Sequence, residues 1–185
     1  MKITLCLLFL FSTSAWATKL EIIKLGHPTL RLEAQELQLA EIESSENQQL
    51  IDDMVETMAK SQGVGLAAPQ VNKSLRMFVM KSWPGVPLTI VINPKIEYLE
   101  EYGKKRSTEG CLSIPGKTLT VQRFKRIHLS YFDRFGAYQS QELTGMGAII
   151  AQHEYDHLNG VMIVDLVENF FTEMVGKNLS EAPLM

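Results

Sequence analysis

Apolar residues recur with the period of a helix between residues 45 and 60. Five positions keep this spacing: Leu50, Ile51, Met54, Val55 and Met58. Ser45, with Gln48 three residues later, has the form of a capping box, so we predict that the helix begins at Ser45. We expect it to end near Gly63.

Other stretches have the pattern of β-strands. Three strands are predicted: residues 75–80, residues 88–92, and a strand in which Ile127, Leu129 and Tyr131 alternate with polar neighbours. Asn93-Pro94 is expected to end the second strand, because proline cannot donate to a strand ladder. Residues 133–136 have the composition of a hairpin connection after the third.

The C-terminal third predicts further helices. One runs from about Thr144 to Leu158 and is expected to end near Gly160. A last amphipathic stretch, Val167 to Val175, places Phe170, Phe171 and Met174 on one side. Short strands mixed with two or three helices indicate the α+β fold class.

The first 17 residues differ from the rest of the chain. Lys2 precedes a short apolar stretch, and Ala15-Trp16-Ala17 has the form of a cleavage site. This order is typical of a secretory signal peptide, and the apolar stretch is shorter than the roughly 20 residues of a membrane span. We therefore expect residues 1–17 to be removed before Thr18, which leaves residues 18–185 as a single domain. The alternative is a buried N-terminal strand or helix.

Composition narrows the possible partners. The chain has 185 residues and a net charge of −3, and its basic residues form no dense stripe. Lys104-Lys105-Arg106 is a short run that we interpret as a solvated loop. Nucleic-acid binding is therefore not expected.

The helix predicted at 144–158 carries the H-E-x-x-H pattern. Residues four apart share a helix face, so His153 and His157 can both reach one metal ion. Glu154 lies about a quarter turn from His153 and can reach a water there without ligating the metal. An ordinary polar helix face is the alternative. It would leave buried histidines unexplained, because the rest of this helix is apolar at Met146, Ile149, Ile150 and Leu158.

A catalytic metal site usually has three protein ligands and one open position, so a third ligand is required. No histidine follows the motif, and the downstream candidates are Glu168 and Glu173. Cys111 is the better candidate, because Gly110 beside it lets the backbone approach another group closely. Since Cys6 lies in the signal segment, Cys111 has no partner for an internal disulfide. Its alternative fate is that of a small buried hydrophobic residue.

Residues 63–70 read Gly-Val-Gly-Leu-Ala-Ala-Pro-Gln. Two glycines and two alanines indicate a backbone packed close to another group, and Gln70 supplies a neutral donor. The stretch lacks the Lys and Ser/Thr of a phosphate-binding loop. By itself it predicts a close-packed turn.

Three segments together resemble the sequence motifs of peptide deformylases. G-V-G-L-A-A-P-Q, E-G-C-L-S and Q-H-E-Y-D-H occur in the family's order, and the resemblance covers nearly all of residues 20–166. Matches outside the motifs are Gly26-His27-Pro28, Leu30-Arg31, Arg123, Gly160 and Asp165. The resemblance implies small antiparallel sheets packed around a central helix that carries the H-E-x-x-H motif.

The resemblance also implies roles for the matching residues. The metal ligands would be Cys111, His153 and His157, and the catalytic group would be Glu154. Gln70 and the backbone N–H of Leu112 would stabilise the oxyanion. Residues expected at the substrate are Val64, Gly65, Glu109, Gly110, Met146, Ile149 and Ile150. We further expect an ion pair of Glu109 with Arg123 that fixes the cysteine loop.

The implied reaction is metal-dependent removal of the N-formyl group from N-formylmethionyl peptides, with release of formate. The resemblance favours one Fe²⁺ ion, with Zn²⁺ or Ni²⁺ able to occupy the site. One alternative is a zinc endopeptidase, which would need a His or Glu as third ligand. The other is a catalytically idle exported binding protein with the same fold, which would have lost a ligand or the glutamate. The three ligand positions, Glu154 and Gln70 are all present.

The signal segment sets the chain apart from that family, whose members act on nascent chains in the cytosol or in organelles. We expect a periplasmic or secreted protein, and export would favour Zn²⁺ because accessible thiolate–iron sites oxidise readily. The alternative is a cytoplasmic enzyme that acts on ribosome-bound nascent chains. Only 20 residues follow Asp165, fewer than in relatives with a longer C-terminal helix. The sequence does not fix an oligomeric state.

Overall fold

The computed structural model describes residues 17–81 and 87–167. Residues 1–16 of the predicted signal segment, the amphipathic stretch predicted beyond Val167, and both Glu168 and Glu173 lie outside these ranges. The helices and strands are, in chain order, α1 (Ser45–Lys60), β1 (Gly65–Ala67), β2 (Met77–Met80), β3 (Thr89–Tyr98), β4 (Lys104–Cys111), β5 (Ile114–Phe124), β6 (Arg126–Phe132), β7 (Tyr138–Thr144) and α2 (Gly145–Leu158). Short 3-10 helices cover Pro28–Arg31, Leu39–Glu41, Ala68–Val71, Glu100–Tyr102 and Ile163–Asp165. Within the described ranges, no helix has the length and apolar character needed to cross a membrane.

Two antiparallel sheets form the framework. The larger has five strands in the order β1-β2-β3-β6-β7, and the smaller pairs β4 with β5. The predicted hairpin connection joins β6 to β7, where Asp133 Oδ1 accepts from the backbone N–H groups of Phe135 and Ala137. β1 is an edge of the larger sheet, and β4 is paired on one side only.

The five-stranded sheet carries a helix on each face. In β2, Met77 and Val79 belong to the core cluster that includes α1, whereas Phe78 and Met80 belong to the cluster that includes α2. Successive strand residues point to opposite faces, so all four residues of β2 are buried. The apolar stripe predicted for α1 is its buried face, at Leu50, Ile51, Met54 and Met58.

Helix α2 lies between the two sheets. Gln152 joins it to β5, because its Nε2 donates to Phe124 O at 3.0 Å and its Oε1 accepts from Phe124 N at 2.9 Å. Ala148 and Ala151 of the same helix pack in the core of the five-stranded sheet. The predicted α+β arrangement around a central helix is confirmed.

The predicted cap of α1 is wrong by one residue. Ser44 is the capping residue, and its hydroxyl accepts from Asn47 N at 3.3 Å. Ser44 has the extended backbone that a capping residue needs, whereas Ser45 is already helical. The Gln48 side chain donates instead to the carbonyls of Ile42 and Arg134.

The predicted end of β3 at Asn93-Pro94 is also wrong. The strand continues to Tyr98 through a register irregularity between Ile92 and Lys95. Asn93 takes a φ of 49°, and its side chain bonds to the backbone N and O of Leu37. The bulge accommodates the missing N–H of Pro94, so the strand resumes beyond it.

The interpretation of Lys104-Lys105-Arg106 as a loop is wrong, since these residues begin β4 and pair with β5. Lys104 and Arg106 are exposed on one side of the strand, whereas Ser107, Glu109 and Cys111 are buried. β4 contains no apolar run, because its buried positions are polar or are site residues. The sequence pattern therefore gave no signal for it.

Candidate metal centre and active site

Cys111 and both histidines of α2 come together at a buried point between the two sheets. One nitrogen of each histidine and Cys111 Sγ all lie within 4.8 Å of one another. Cys111 Sγ is 3.3 Å from His157 Nε2. The helical spacing of His153 and His157 supplies two of these atoms, and the end of β4 supplies the third.

A chain of charged groups holds His153. Its Nδ1 lies 2.9 Å from Glu109 Oε2, and Arg123 donates to both oxygens of Glu109 at 2.9 Å each. Arg123 Nη1 also donates to Asp156 Oδ2 at 2.6 Å. The predicted pair of Glu109 and Arg123 is present and buried, and Asp156 extends it back to α2.

These contacts set the protonation of His153 and Glu109. Burial alone would lower the pKa of His153, but hydrogen bonds to Cys111 and Glu109 raise it to about 10. Burial would raise the pKa of Glu109, but hydrogen bonds from His153 and Arg123 lower it to about 2. The negative groups that stabilise a proton on His153 would equally stabilise a cation bound to its other nitrogen.

His157 and Glu154 lie in a different environment. Burial, with the nearby charges of His153 and Arg123, lowers the pKa of His157 and keeps it in the neutral form that binds metals. Burial raises the pKa of Glu154 to about 7. In the described part of the chain, Glu154 Oε2 and His157 Nδ1 are the buried side-chain atoms without a hydrogen-bond partner.

The glycines of the 63–70 segment give room to two site residues. A Cβ on Gly65 would lie 2.2 Å from Glu154 Oε1, and a Cβ on Gly63 would lie 2.8 Å from Leu112 Cδ1. The segment is strand β1 followed by a 3-10 turn, rather than a turn alone as predicted. The expected close approach is therefore to Glu154 and Leu112.

The 3-10 turn after β1 aims Gln70 at the cysteine. Gln70 Oε1 accepts from Ala67 N at 2.9 Å, which fixes the side chain. Its Nε2 lies 3.2 Å from Ser113 Oγ and 3.6 Å from Cys111 Sγ. The donor predicted for an oxyanion thus faces the ligand cluster.

A cavity of about 690 Å³ opens onto these residues. All seven residues predicted at the substrate line it, together with Gln70, Cys111, Leu112, His153 and Glu154. Val64 and Met146 are 43% and 53% exposed, although apolar. Every predicted site residue except His157 therefore lines this cavity. His157 is buried behind it, and the apolar rim is available to a substrate side chain.

The donor set fits a divalent metal ion. Ligand atoms that each lie about 2.0–2.3 Å from one ion are separated by distances like that between Cys111 Sγ and His157 Nε2. Thiolate and imidazole ligands suit Fe²⁺, Zn²⁺ and Ni²⁺ better than Mg²⁺ or Ca²⁺. Three protein ligands would leave a position open towards the cavity.

Sequence reasoning overlooked Asp156 and Ser113, and it misread Gly110. Asp156 lies three residues after His153 on the same helix, and that spacing was the available signal for it. A Cβ on Gly110 would meet its nearest neighbours at 3.8 and 3.9 Å, which is ordinary contact. Gly110 lines the cavity but marks no unusually close approach.

Comparison with known proteins identifies the family. The sequence matches the model of the family described as polypeptide deformylase over residues 19–171. The chain belongs to the polypeptide deformylase family. Peptide deformylase 2 of Nostoc sp. is 44% identical over 163 residues, which cover 81% of this chain and 87% of that protein. The peptide deformylase of Fusobacterium nucleatum is 40% identical over 160 residues, which cover 86% of this chain and 90% of that protein.

Solved deformylase structures share the fold. The Thermotoga maritima peptide deformylase has a TM-score of 0.74 at 39% identity and covers 81% of this chain and 98% of its own. A class I type b peptide deformylase from Acinetobacter baumannii, solved with Met-Ala-Ser bound, has a TM-score of 0.77 at 34% identity. The match covers 82% of this chain and 99% of that protein.

Family membership answers the question of activity. The chain is a polypeptide deformylase, a metal-dependent hydrolase that removes the N-formyl group from peptides. The alternatives of a zinc endopeptidase and of an idle binding protein are therefore wrong. The third residue of the ligand cluster is Cys111, where the endopeptidase required a His or Glu.

Proposed function

We propose that Cys111, His153 and His157 hold one Fe²⁺ ion, and that the cavity above them hydrolyses N-formylmethionyl peptides. Water and the formyl amide give formate and a peptide with a free amino terminus. When bound, the ion would supply Lewis acidity, which lowers the pKa of water and polarises a carbonyl. The observation that carries the proposal is the position of Glu154, which lines the same cavity as Cys111 and His153 and whose Oε2 is buried without a hydrogen-bond partner.

Strand edges bound the cavity where an extended peptide would lie. The cavity is lined by Gly65 of edge strand β1 and by residues 107–111 of β4, which is paired on one side only. Unpaired strand edges can bond to the backbone of an added strand. A peptide lying between them would place its methionine side chain against the apolar residues Val64, Met146, Ile149 and Ile150.

Glu154 is suited to move the proton. At the raised pKa of about 7, its carboxylate takes a proton from the attacking water and then gives it to the leaving nitrogen. The water oxygen becomes the second oxygen of formate, and the bond from the formyl carbon to nitrogen breaks. The room beside Gly65 lets the carboxylate reach the reacting atoms.

Gln70 and Leu112 are placed to stabilise negative charge on the formyl oxygen. Gln70 is held by Ala67 N, so its Nε2 is oriented before the substrate binds. The N–H of Leu112 follows the cysteine directly in the chain. In a well-studied protease, loss of one such donor costs about 3–4 kcal/mol of transition-state stabilisation.

The test is formate release from formyl-Met-Ala-Ser by protein prepared without oxygen and loaded with Fe²⁺. Acetyl-Met-Ala-Ser is the matched substrate control, and chelated protein is the matched enzyme control. We expect formate from the formyl peptide with metal-loaded protein only. Cleavage between Met and Ala with the formyl group retained would contradict the proposal. Elemental analysis of protein from its native compartment tests Fe²⁺ against Zn²⁺.

A further inference from the structure

The charged side chains that line the cavity divide by sign and by exposure. Within the described residues, the lining carboxylates are Glu109 and Glu154, and both are buried. Glu109 is neutralised by Arg123 and His153. Lys24 and Lys117 also line the cavity, and both are exposed. The charge that an incoming peptide meets at the rim is therefore positive.

Neither rim lysine is paired with a carboxylate in the described part of the chain. Lys24 is held in place because its Nζ donates to Leu112 O at 3.0 Å. Leu25 N donates to Ser113 O at 2.9 Å beside it, so the N-terminal segment is fixed against the cysteine loop. The partner in this bond is an uncharged carbonyl, so the bond is not an ion pair.

The segment that contains Lys117 is rich in basic residues, of which Lys117 lines the cavity. Residues 103–126, which contain β4 and β5, carry seven lysine or arginine residues and one carboxylate, Glu109. Glu100 and Glu101 precede the segment, and neither lines the cavity. Arg123 is paired with Glu109 and Asp156, and Arg126 is paired with Glu142. The positive charge that faces a ligand in the cavity is therefore that of Lys24 and Lys117, which favours anionic ligands there.

We propose that Lys24 and Lys117 make the cavity selective for formyl peptides that carry a carboxylate within two residues after the methionine. The carboxylate belongs either to an acidic side chain or to the free C-terminus of a short peptide. This proposal rests on the proposed function, because it assumes that the peptide occupies this cavity. It names Lys24 and Lys117 as specificity-determining residues with no part in bond breaking.

The test compares three substrates that differ only in the charge of the third residue: formyl-Met-Ala-Glu, formyl-Met-Ala-Gln and formyl-Met-Ala-Lys, each as the C-terminal amide. We expect kcat/KM for the Glu peptide to exceed that for the Lys peptide about fivefold at about 0.02 M salt, since each exposed charge pair is weak. The preference should approach one at about 0.5 M salt. The Gln peptide as a free acid, compared with its amide, measures the contribution of a terminal carboxylate.

Variants assign the preference to the two lysines. In the double variant Lys24→Met/Lys117→Met, the ratio of kcat/KM for the Glu peptide to that for the Lys peptide should fall to about one. Each single variant should lower this ratio in part. Taking a ratio cancels any common loss of kcat caused by losing the Lys24 bond to Leu112. Lys24→Arg should retain the ratio. Lys73→Met is the control, because Lys73 is exposed but does not line the cavity.

Equal kcat/KM for the Glu and Lys peptides at low salt would overturn the inference, and so would an unchanged ratio in the double variant. Absence of formate from the neutral Gln peptide would instead refute the proposed function. In that case, equilibrium binding of Met-Ala-Glu amide and Met-Ala-Lys amide still decides the charge preference. Tighter binding of the Glu peptide, lost in the double variant, would support it, and equal binding would overturn it.

Discussion

Gly65 lies directly against the carboxylate of Glu154. A Cβ at residue 65 would be 2.2 Å from Oε1 and 2.7 Å from Cδ of Glu154. No side chain larger than hydrogen therefore fits at this position unless Glu154 moves. The first motif thus leaves the space that a residue of the third motif occupies.

Gly65→Ala should lower activity without lowering the metal content of the protein. The added methyl group displaces the Glu154 carboxylate, so we expect kcat to fall by about 10²-fold or more, with metal content unchanged. Overpacking should also lower stability by about 1–3 kcal/mol. Adding Gly65→Ala to Glu154→Gln should lower kcat little further, because both changes act on one group. Wild-type kcat in Gly65→Ala would show that the contact is unimportant.

Glu154→Gln should fold, keep its metal and lose most activity. An amide cannot accept the proton from water, so we expect kcat to fall by about 10²- to 10⁴-fold. Steady-state kinetics of metal-loaded protein, with elemental analysis of the same sample, measure both quantities. Glu97→Gln, at an exposed position of β3, is the control that should keep its activity. Retained kcat in metal-replete Glu154→Gln would refute the role.

Cys111→Ala should abolish stoichiometric metal binding. The cysteine supplies one of three ligand atoms within the described cluster, and two histidines alone hold a divalent ion weakly. Cys111→Asp should weaken binding or change the metal preferred, because a carboxylate is a harder ligand. Ser113→Ala, which alters a neighbour of Gln70 but no ligand, should keep its metal. Elemental analysis that found full occupancy in Cys111→Ala would exclude Cys111 as a ligand.

The stabilisation that Glu109 gives the metal-free protein should be lost in acid. Its pKa is lowered from 4.5 to about 2 in the folded state, so its stabilisation is fully present above the unfolded pKa and is lost as pH falls towards 2. Glu109→Gln should therefore unfold more easily than wild type at pH 7 and approach it near pH 2. Thermal unfolding of chelated protein across this range measures the difference. A difference in unfolding free energy that did not change with pH would contradict the prediction.

Export predicts a mature protein that begins at Thr18. In the structure, Thr18 N donates to Asp53 Oδ1 at 2.6 Å. Cleavage after Ala17 would turn this amide into an ammonium group facing a carboxylate. We expect a form beginning at Thr18 in the periplasm or medium, identified by fractionation and N-terminal sequencing.

Asp53→Asn provides the control for that prediction. It should destabilise the form beginning at Thr18 more than the full-length chain, because only the former has a charged amino group at this position. Cytosolic protein that begins at Met1 would show the export prediction to be wrong. That outcome would leave the chemistry of Cys111 and Glu154 unaffected.

The sequence by itself determined the features that depend on neighbours along the chain. The period of apolar residues located α1, and alternation at Ile127, Leu129 and Tyr131 located β6. The helix predicted from about Thr144 to Leu158 is α2. The i, i+4 spacing of His153 and His157 predicted that both face one point. The three motifs together indicated the family and the third member of the ligand cluster.

Only the tertiary structure decided the contacts between distant segments. Asp156 joins the predicted pair of Glu109 and Arg123 because α2 packs against the smaller sheet. Gly65 leaves room for Glu154, which lies 89 positions later in the chain. Lys24 bonds to Leu112, which lies 88 positions later. Local patterns carry no record of such pairs, since helix and strand periodicity reports which face of an element is buried but not which segment covers it.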